Sequence, residues 1–298
     1  LVPLIGEPPL EFGGAFHAAV QAFYVEMAVN SLKLEPNSLR DNATLLAKKS
    51  FLDHLRERNS SLPTSIESDQ KRSVERGLYL LEAYFHKWRN ETLVNEIRPD
   101  TGEPYVEIGF SLYLMEWRNR PVMYVGRLDR IMRSRVDNRL RIVETKTTTQ
   151  GLSQFVTNTR PNHQITGYHW AARELLHLDV AGTIWDCIFV SSRQPKLSGT
   201  DWETRGIDIE KDFNRTETRR TQTDVEEFLY DLSSDVEEYL SWKYSEKARW
   251  PRNAPGACHS YGGCTYRDVC ITNANPQIMA NRFKREKWEP FKVNIVQK

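Results

Sequence analysis

Two segments rich in β-branched and apolar residues, Val122 to Asp129 (VMYVGRLD) and Leu140 to Lys146 (LRIVETK), constrain this 298-residue chain more than any other feature. Asp137 and Asn138 lie between them and mark a turn, so the two segments read as adjacent strands of a hairpin. Each segment closes on charge: Asp129 ends the first, and Glu144 and Lys146 end the second. Side chains alternate faces along a strand, so Glu144 and Lys146 share one face. The hairpin therefore brings Asp129 and Glu144 within reach of one divalent cation and sets an amine beside it. Two carboxylates with a main-chain carbonyl and water make a hard oxygen site suited to Mg²⁺ or Mn²⁺. On its own, a Glu/Lys pair on a strand is an ordinary solvent-facing pair; the GRLD of the partner strand gives it chemical meaning.

Four pieces in order extend the pattern: Gly13-Gly14-Ala15-Phe16-His17, Gly126-Arg127-Leu128-Asp129, Val143-Glu144-Thr145-Lys146 and Gln164-Ile165-Thr166-Gly167-Tyr168. Together they resemble the PD-(D/E)XK nuclease superfamily, and within it the RecB-like branch, with its G-x-x-x-H helix and Q-x-x-x-Y motif. Leu128 stands where the superfamily name puts proline. The resemblance implies a restriction-endonuclease-like α/β (α+β mixed) fold, a central mixed β-sheet flanked by helices, and metal-dependent cleavage of phosphodiester bonds to leave a 5′-phosphate. Carried onto this sequence, Asp129, Glu144 and the Thr145 carbonyl would hold Mg²⁺ or Mn²⁺ with His17 as a further ligand. An imidazole donor tilts the choice toward Mn²⁺. Lys146 would position the attacking water, and Gln164, Tyr168 and Arg127 would hold the substrate strand. Glu107, on the preceding apolar segment, is a further metal-site candidate or, alternatively, a strand-end carboxylate paired with an arginine.

Net charge is only +1, so attraction to nucleic acid must come from local patches rather than from the whole molecule. Candidates are Arg127, Arg130, Arg133, Arg135, Arg139 and Arg141 around the hairpin, and the basic stretch from Asn281 to Lys298, each of which also reads as a solvated face. With 39% hydrophobic and 27% charged residues the chain is an ordinary globular protein, and no run reaches the length of a membrane span. The first residues lack a signal-peptide pattern and four cysteines do not suggest a disulfide framework, so a cytoplasmic (intracellular) location is expected. Cys258, Cys264 and Cys270 resemble the end of the cysteine pattern that holds an iron–sulfur cluster in some RecB-like nucleases. Their C-x5-C-x5-C spacing departs from it, and the fourth cysteine, Cys187, sits in an apolar run, so neither a cluster nor zinc is expected.

Taken in order, 1–98 reads as a helical N-terminal region carrying His17, with helices at Glu11–Leu34, Asn37–Arg58 and Ser68–Asn90. Residues 99–195 read as the catalytic sheet and the Q-x-x-x-Y helix, in which strands from Thr92 to Asp129 form an antiparallel meander. Thr147–Asn162 is a polar loop, a helix follows to about His177, and Gly182–Ser191 is a buried strand. Residues 196–298 read as an edge strand at Glu203–Glu210, an amphipathic helix at Thr221–Tyr244 and the cysteine-containing tail, the whole of 1–298 being a single nuclease domain. His163 and His169 lie off the Gln164/Tyr168 face and read as exposed. The expected function is a metal-dependent DNA nuclease, an exonuclease of recombination or repair acting on single- or double-stranded DNA. The alternative is a nuclease-like module that binds nucleic acid or a partner without cutting it.

Overall fold

The computed structural model describes residues 2, 3, 7–245 (apart from 32, 34, 67, 70 and 158), 256–259, 263–286 and 295–297. Its centre is a mixed, seven-stranded sheet in the order β7-β6-β5-β4-β3-β9, with β2 pairing to β4. These strands are β2 (Leu93–Asn95), β3 (Val106–Trp117), β4 (Arg120–Ser134), β5 (Leu140–Thr148), β6 (Val180–Phe189), β7 (Phe213–Thr218) and β9 (Ile295–Gln297). A separate short pair joins β1 (Val2–Pro3) to β8 (Phe283–Lys284). Strands β3, β4 and β5 are antiparallel neighbours, whereas β5 and β6 are parallel; in the meander expected from Thr92 to Asp129, β3 and β4 pair as read, but β2 pairs with β4 rather than with β3. The parallel step requires a crossover, which carries α4 (Leu152–Thr157) and α5 (His163–Glu174). The stretch read as a polar loop therefore holds a short helix as well.

Two apolar cores lie on either side of this sheet. The first is built by α1 (Pro8–Val29), α2 (Pro36–Glu57) and α3 (Val74–Lys87), whose Phe12, Phe16, Phe23, Phe51, Leu80 and Phe85 pack against Met132, Val143 and Ile188. The second joins Phe110, Leu112, Leu128, Ile131 and Ile142 to α5 and to α8 (Gln222–Lys243) through Ile165, Tyr168, Val225 and Phe228. This is the mixed sheet between helical layers that the restriction-endonuclease-like reading requires. Helical spacing of the aromatics thus marked core, as for Leu81, Tyr84 and Phe85, all buried.

The edge strand expected at Glu203–Glu210 is not there. Thr200 caps α6 (Asp201–Thr204) through a reciprocal bond with Glu203, and the Asp208 side chain caps α7 (Ile209–Asp212). Such local side-chain bonds outcompete an extended conformation, and the edge is taken instead by β7, immediately downstream. The C-terminal part contributes α9 (Gly256–His259), α10 (Arg267–Ile271) and α11 (Pro276–Arg282). No helix among the described residues is long and apolar enough to cross a membrane.

Candidate metal and phosphodiester site

The site forms where β4 parts from β5. Their ladder ends at the pair Arg130–Val143, one residue short of Asp129 and Glu144. Beyond this point β4 stays with β3 and β5 stays with β6. The main-chain amide of Thr145 is thereby left without a β4 partner, and the Asp129 carboxylate accepts its hydrogen at 2.8 Å. A buried amide must find an acceptor, so the divergence itself fixes Asp129.

Strand β3 is irregular at the same level. Val106 pairs with Arg130 and Ile108 with Leu128, which leaves Glu107 opposite Asp129. Residues two apart on a strand normally share a face, yet Val106 belongs to the first core and Ile108 to the second. Glu107 accomplishes the crossing with φ of +52°, a left-handed conformation that is costly for a non-glycine residue. Both carboxylates therefore sit on the seam between the two cores rather than inside either.

Into this seam comes His17 from α1. A Cβ on Gly13, one turn earlier, would come within 3.2 Å of Thr147 Oγ1, so glycine there permits the close approach of helix and strand. His17 Nδ1 lies 3.4 Å from Asp129 Oδ2. Burial lowers the His17 pKa, with Asp129 and hydrogen bonding to the Thr145 main chain opposing it. Ligand atoms of His17, Glu107 and Asp129 all lie within 4.8 Å of one another, the one such group of three among the described residues. Glu107 is at the same time paired with Arg127 at 2.7 Å, the arginine pairing read as its alternative.

Glu144 stands at the edge of that trio. It is buried, and Lys146 Nζ and Gln164 Nε2 approach its Oε1 at 2.5 Å and 3.1 Å. Its Oε2 is buried with no hydrogen-bond partner among the described residues. Gln164 also donates to the Tyr168 hydroxyl at 2.8 Å, and Lys146 Nζ lies 3.3 Å from Gln164 Oε1. The carboxamide thus bridges the strand pair Glu144/Lys146 and the phenol one helical turn on. Burial, with Asp129 next in importance, raises both Glu144 and Glu107 to about 7. Crowded acidic groups, a buried oxygen lacking a donor and a neighbouring imidazole are what a hard divalent cation satisfies. The residues present fit such an ion.

Several sequence expectations change here. Of the arginines proposed as a nucleic-acid patch, Arg130 is buried, and it bonds Asp186 Oδ2 at 2.5 Å and Thr145 Oγ1 at 2.7 Å. Arg133 is paired with Glu96, and Arg141 with Asp137 and Glu217. His169 is not exposed: it is buried against Thr183 Oγ1, and burial lowers its pKa to about 4. The three tail cysteines carry no disulfide and form no second ligand group among the described residues. Missed altogether was the cluster behind the seam, in which Asp186 accepts from Arg130, Arg215 and Tyr84, and Arg215 reaches Glu91. A signal existed: one aspartate inside the apolar run GTIWDCIFV must find buried partners.

The model of the PD-(D/E)XK nuclease superfamily matches residues 5–271. No curated protein matches the chain.

Proposed function

The chain belongs to the PD-(D/E)XK nuclease superfamily, and from that premise we propose that it is a metal-dependent deoxyribonuclease of the RecB-like branch, acting from DNA ends in recombination or repair. Nucleases of this superfamily generally use divalent metals such as Mg²⁺ to cut phosphodiester bonds. The observation that carries the reading is the seam itself: Asp129, Glu107 and His17 within 4.8 Å, with the unpartnered Glu144 Oε2 and Lys146 alongside.

Asp129, Glu107, His17, Glu144 and the Thr145 carbonyl would hold the ion, Mg²⁺ or Mn²⁺. When bound, a divalent cation acidifies water and stabilises charge on a phosphoryl oxygen. Lys146 then exchanges its contact with Glu144 for the attacking water, holding it in line with the phosphorus. That water's oxygen bonds to phosphorus as its proton passes to bulk solvent, the bond to the 3′ oxygen breaks, and this oxygen takes a proton from solvent, leaving a 5′-phosphate and a 3′-hydroxyl. Gln164 and Tyr168 orient the strand from α5, and Arg127, more than half exposed, supplies charge to a neighbouring phosphate.

The test is digestion of end-labelled linear duplex beside closed circular DNA, with Mg²⁺, Mn²⁺ or EDTA. Loss of the linear form alone, dependent on metal and abolished in Asp129→Ala and Lys146→Ala, is the expected result. Cutting of the circle refutes the requirement for ends. Intact single- and double-stranded DNA with either metal, alongside retained binding, would establish a module that holds nucleic acid without cutting it.

A further inference from the structure

Beyond the seam, β3 and β4 continue together as a ribbon, with no third strand on the β4 side among the described residues. One face of this ribbon is anchored: Phe110, Leu112 and Leu128 lie in the second core, and Tyr124 meets Trp170 and Phe228 edge-on or tilted at 5.7 and 5.8 Å. The other face is covered at Ser111 but open toward the tip, with the cross-strand pair Tyr113 and Met123 at 53% and 37% exposure. Arg127 lies on this open side, between that pair and the seam.

The ribbon ends in a two-residue turn closed by the pair Trp117–Arg120. Its central residues Arg118 and Asn119 both have left-handed φ, +47° and +60°, which matches the twist of the flanking strands and makes a stiff tip. The Arg118 guanidinium lies 5.5 Å from the centre of the Trp117 ring. Between Ile108 and Leu128 there are three arginines, of which Arg127 is paired with Glu107 at 2.7 Å, leaving Arg118 and Arg120 at the tip against the single carboxylate of Glu116. In a chain with net charge +1 this is a concentration of one sign. Arg118 and Arg120 are exposed, and neither is in an ion pair with a carboxylate among the described residues. This contrasts with Arg130, Arg133 and Arg141, which are all neutralised.

We propose that the outer half of the β3–β4 ribbon is an arm that grips substrate duplex away from the cut, with Arg118 and Arg120 on backbone phosphates. The inference rests on the nuclease reading. Arg120 opens β4 and Asp129 lies on the same strand. The separation along the strand is about 30 Å at ~3.3 Å per residue. That span corresponds to about nine base pairs of duplex. Continuity with the seam and the local positive charge select nucleic acid as the occupant over a protein partner. Stiffness matters because a preformed tip loses little freedom on binding.

The experiment measures binding of 6-bp and 20-bp duplexes to the Asp129→Ala protein in EDTA, by fluorescence anisotropy over a range of KCl concentrations. Adding Arg118→Ala and Arg120→Ala should lower the magnitude of the salt slope for the 20-bp duplex by about 1.8, at ~0.9 for each phosphate no longer neutralised. The 6-bp duplex, too short to reach the tip, should be unaffected. Arg118→Lys with Arg120→Lys should restore the slope, and Arg118→Glu with Arg120→Glu should weaken 20-bp binding further. An unchanged 20-bp slope, or equal loss for both lengths, overturns the arm. Metal-dependent cleavage by the wild type, measured in parallel, separates the two ideas: an indifferent tip on a protein that cuts DNA sinks only the arm. A protein that neither binds nor cuts DNA sinks both.

Discussion

Replacing Asp186 by alanine tests the buried scaffold on which the seam rests. Asp186 is 1% exposed and its carboxylate accepts from Arg130 Nη2 at 2.5 Å, Arg215 Nε at 3.0 Å and the Tyr84 hydroxyl at 2.5 Å. Burial pushes its pKa up, but the two guanidinium groups outweigh this and hold it below the usual carboxylate value. In Asp186→Ala, Arg215 retains Glu91 at 2.6 Å, while Arg130 retains no carboxylate, keeping Thr145, the Tyr84 hydroxyl at 3.3 Å and the Tyr24 ring, 4.5 Å from its guanidinium carbon. A buried cation without its counter-ion costs about 3–5 kcal/mol. Against a typical total of about 5–15 kcal/mol, that is a large share. The melting temperature should fall by about 6–20 °C, scaling from ~2–4 °C per kcal/mol for chains near this size. Urea denaturation followed by circular dichroism gives the free-energy difference directly. Asp53→Ala is the internal control: its pair with Arg56 is exposed, and removing it should cost under ~0.5 kcal/mol. A cost for Asp186→Ala below ~1 kcal/mol, or equal to that of Asp53→Ala, would refute the claim that this cluster braces the seam.

Other outcomes follow from the same geometry. With Glu144 raised to about 7 by burial and by Asp129, its protonated form is favoured by folding. Its contribution is complete below the unfolded value near 4.5 and is lost as pH climbs through about 7. Metal-free Glu144→Gln should therefore gain on wild type across that window, by up to about 1.4 kcal/mol per pH unit; a flat or falling difference in urea midpoints counts against the buried carboxylate. Mn²⁺ at a hundredfold excess over its Kd should stabilise the wild type by about 2.7 kcal/mol in thermal melts. EDTA should reverse this gain and Asp129→Ala should lack it, whereas equal gains in both proteins would place the ion elsewhere. A Cβ on Gly167 would come 2.1 Å from the Tyr124 hydroxyl, so Gly167→Ala should cost about 1–3 kcal/mol through overpacking. Gly151→Ala, where a Cβ would meet no described atom within 4 Å, should be close to neutral.

The sequence alone determined the strands that bear Asp129, Glu144 and Lys146, because period-two apolar patterns and a turn at Asp137-Asn138 leave little choice of local structure. It also determined that Gln164 and Tyr168 share a helical face, since four residues make one turn, and the hydrogen bond between them follows. Local chemistry that was present but misread accounts for Glu203–Glu210, where caps at Thr200 and Asp208 made helices of a segment that alternates like a strand. Only the tertiary structure decided that β4 leaves β5 at Asp129, that Glu107 crosses the sheet with positive φ, and that Arg130 turns inward to Asp186. Each of these depends on partners far away along the chain, such as α1 at His17 and β6 at Asp186. An arginine next to an aspartate such as Asp129 looks the same in sequence whether it meets a phosphate or a buried carboxylate; which one it meets is set by desolvation and packing, and those exist only once the sheet is assembled.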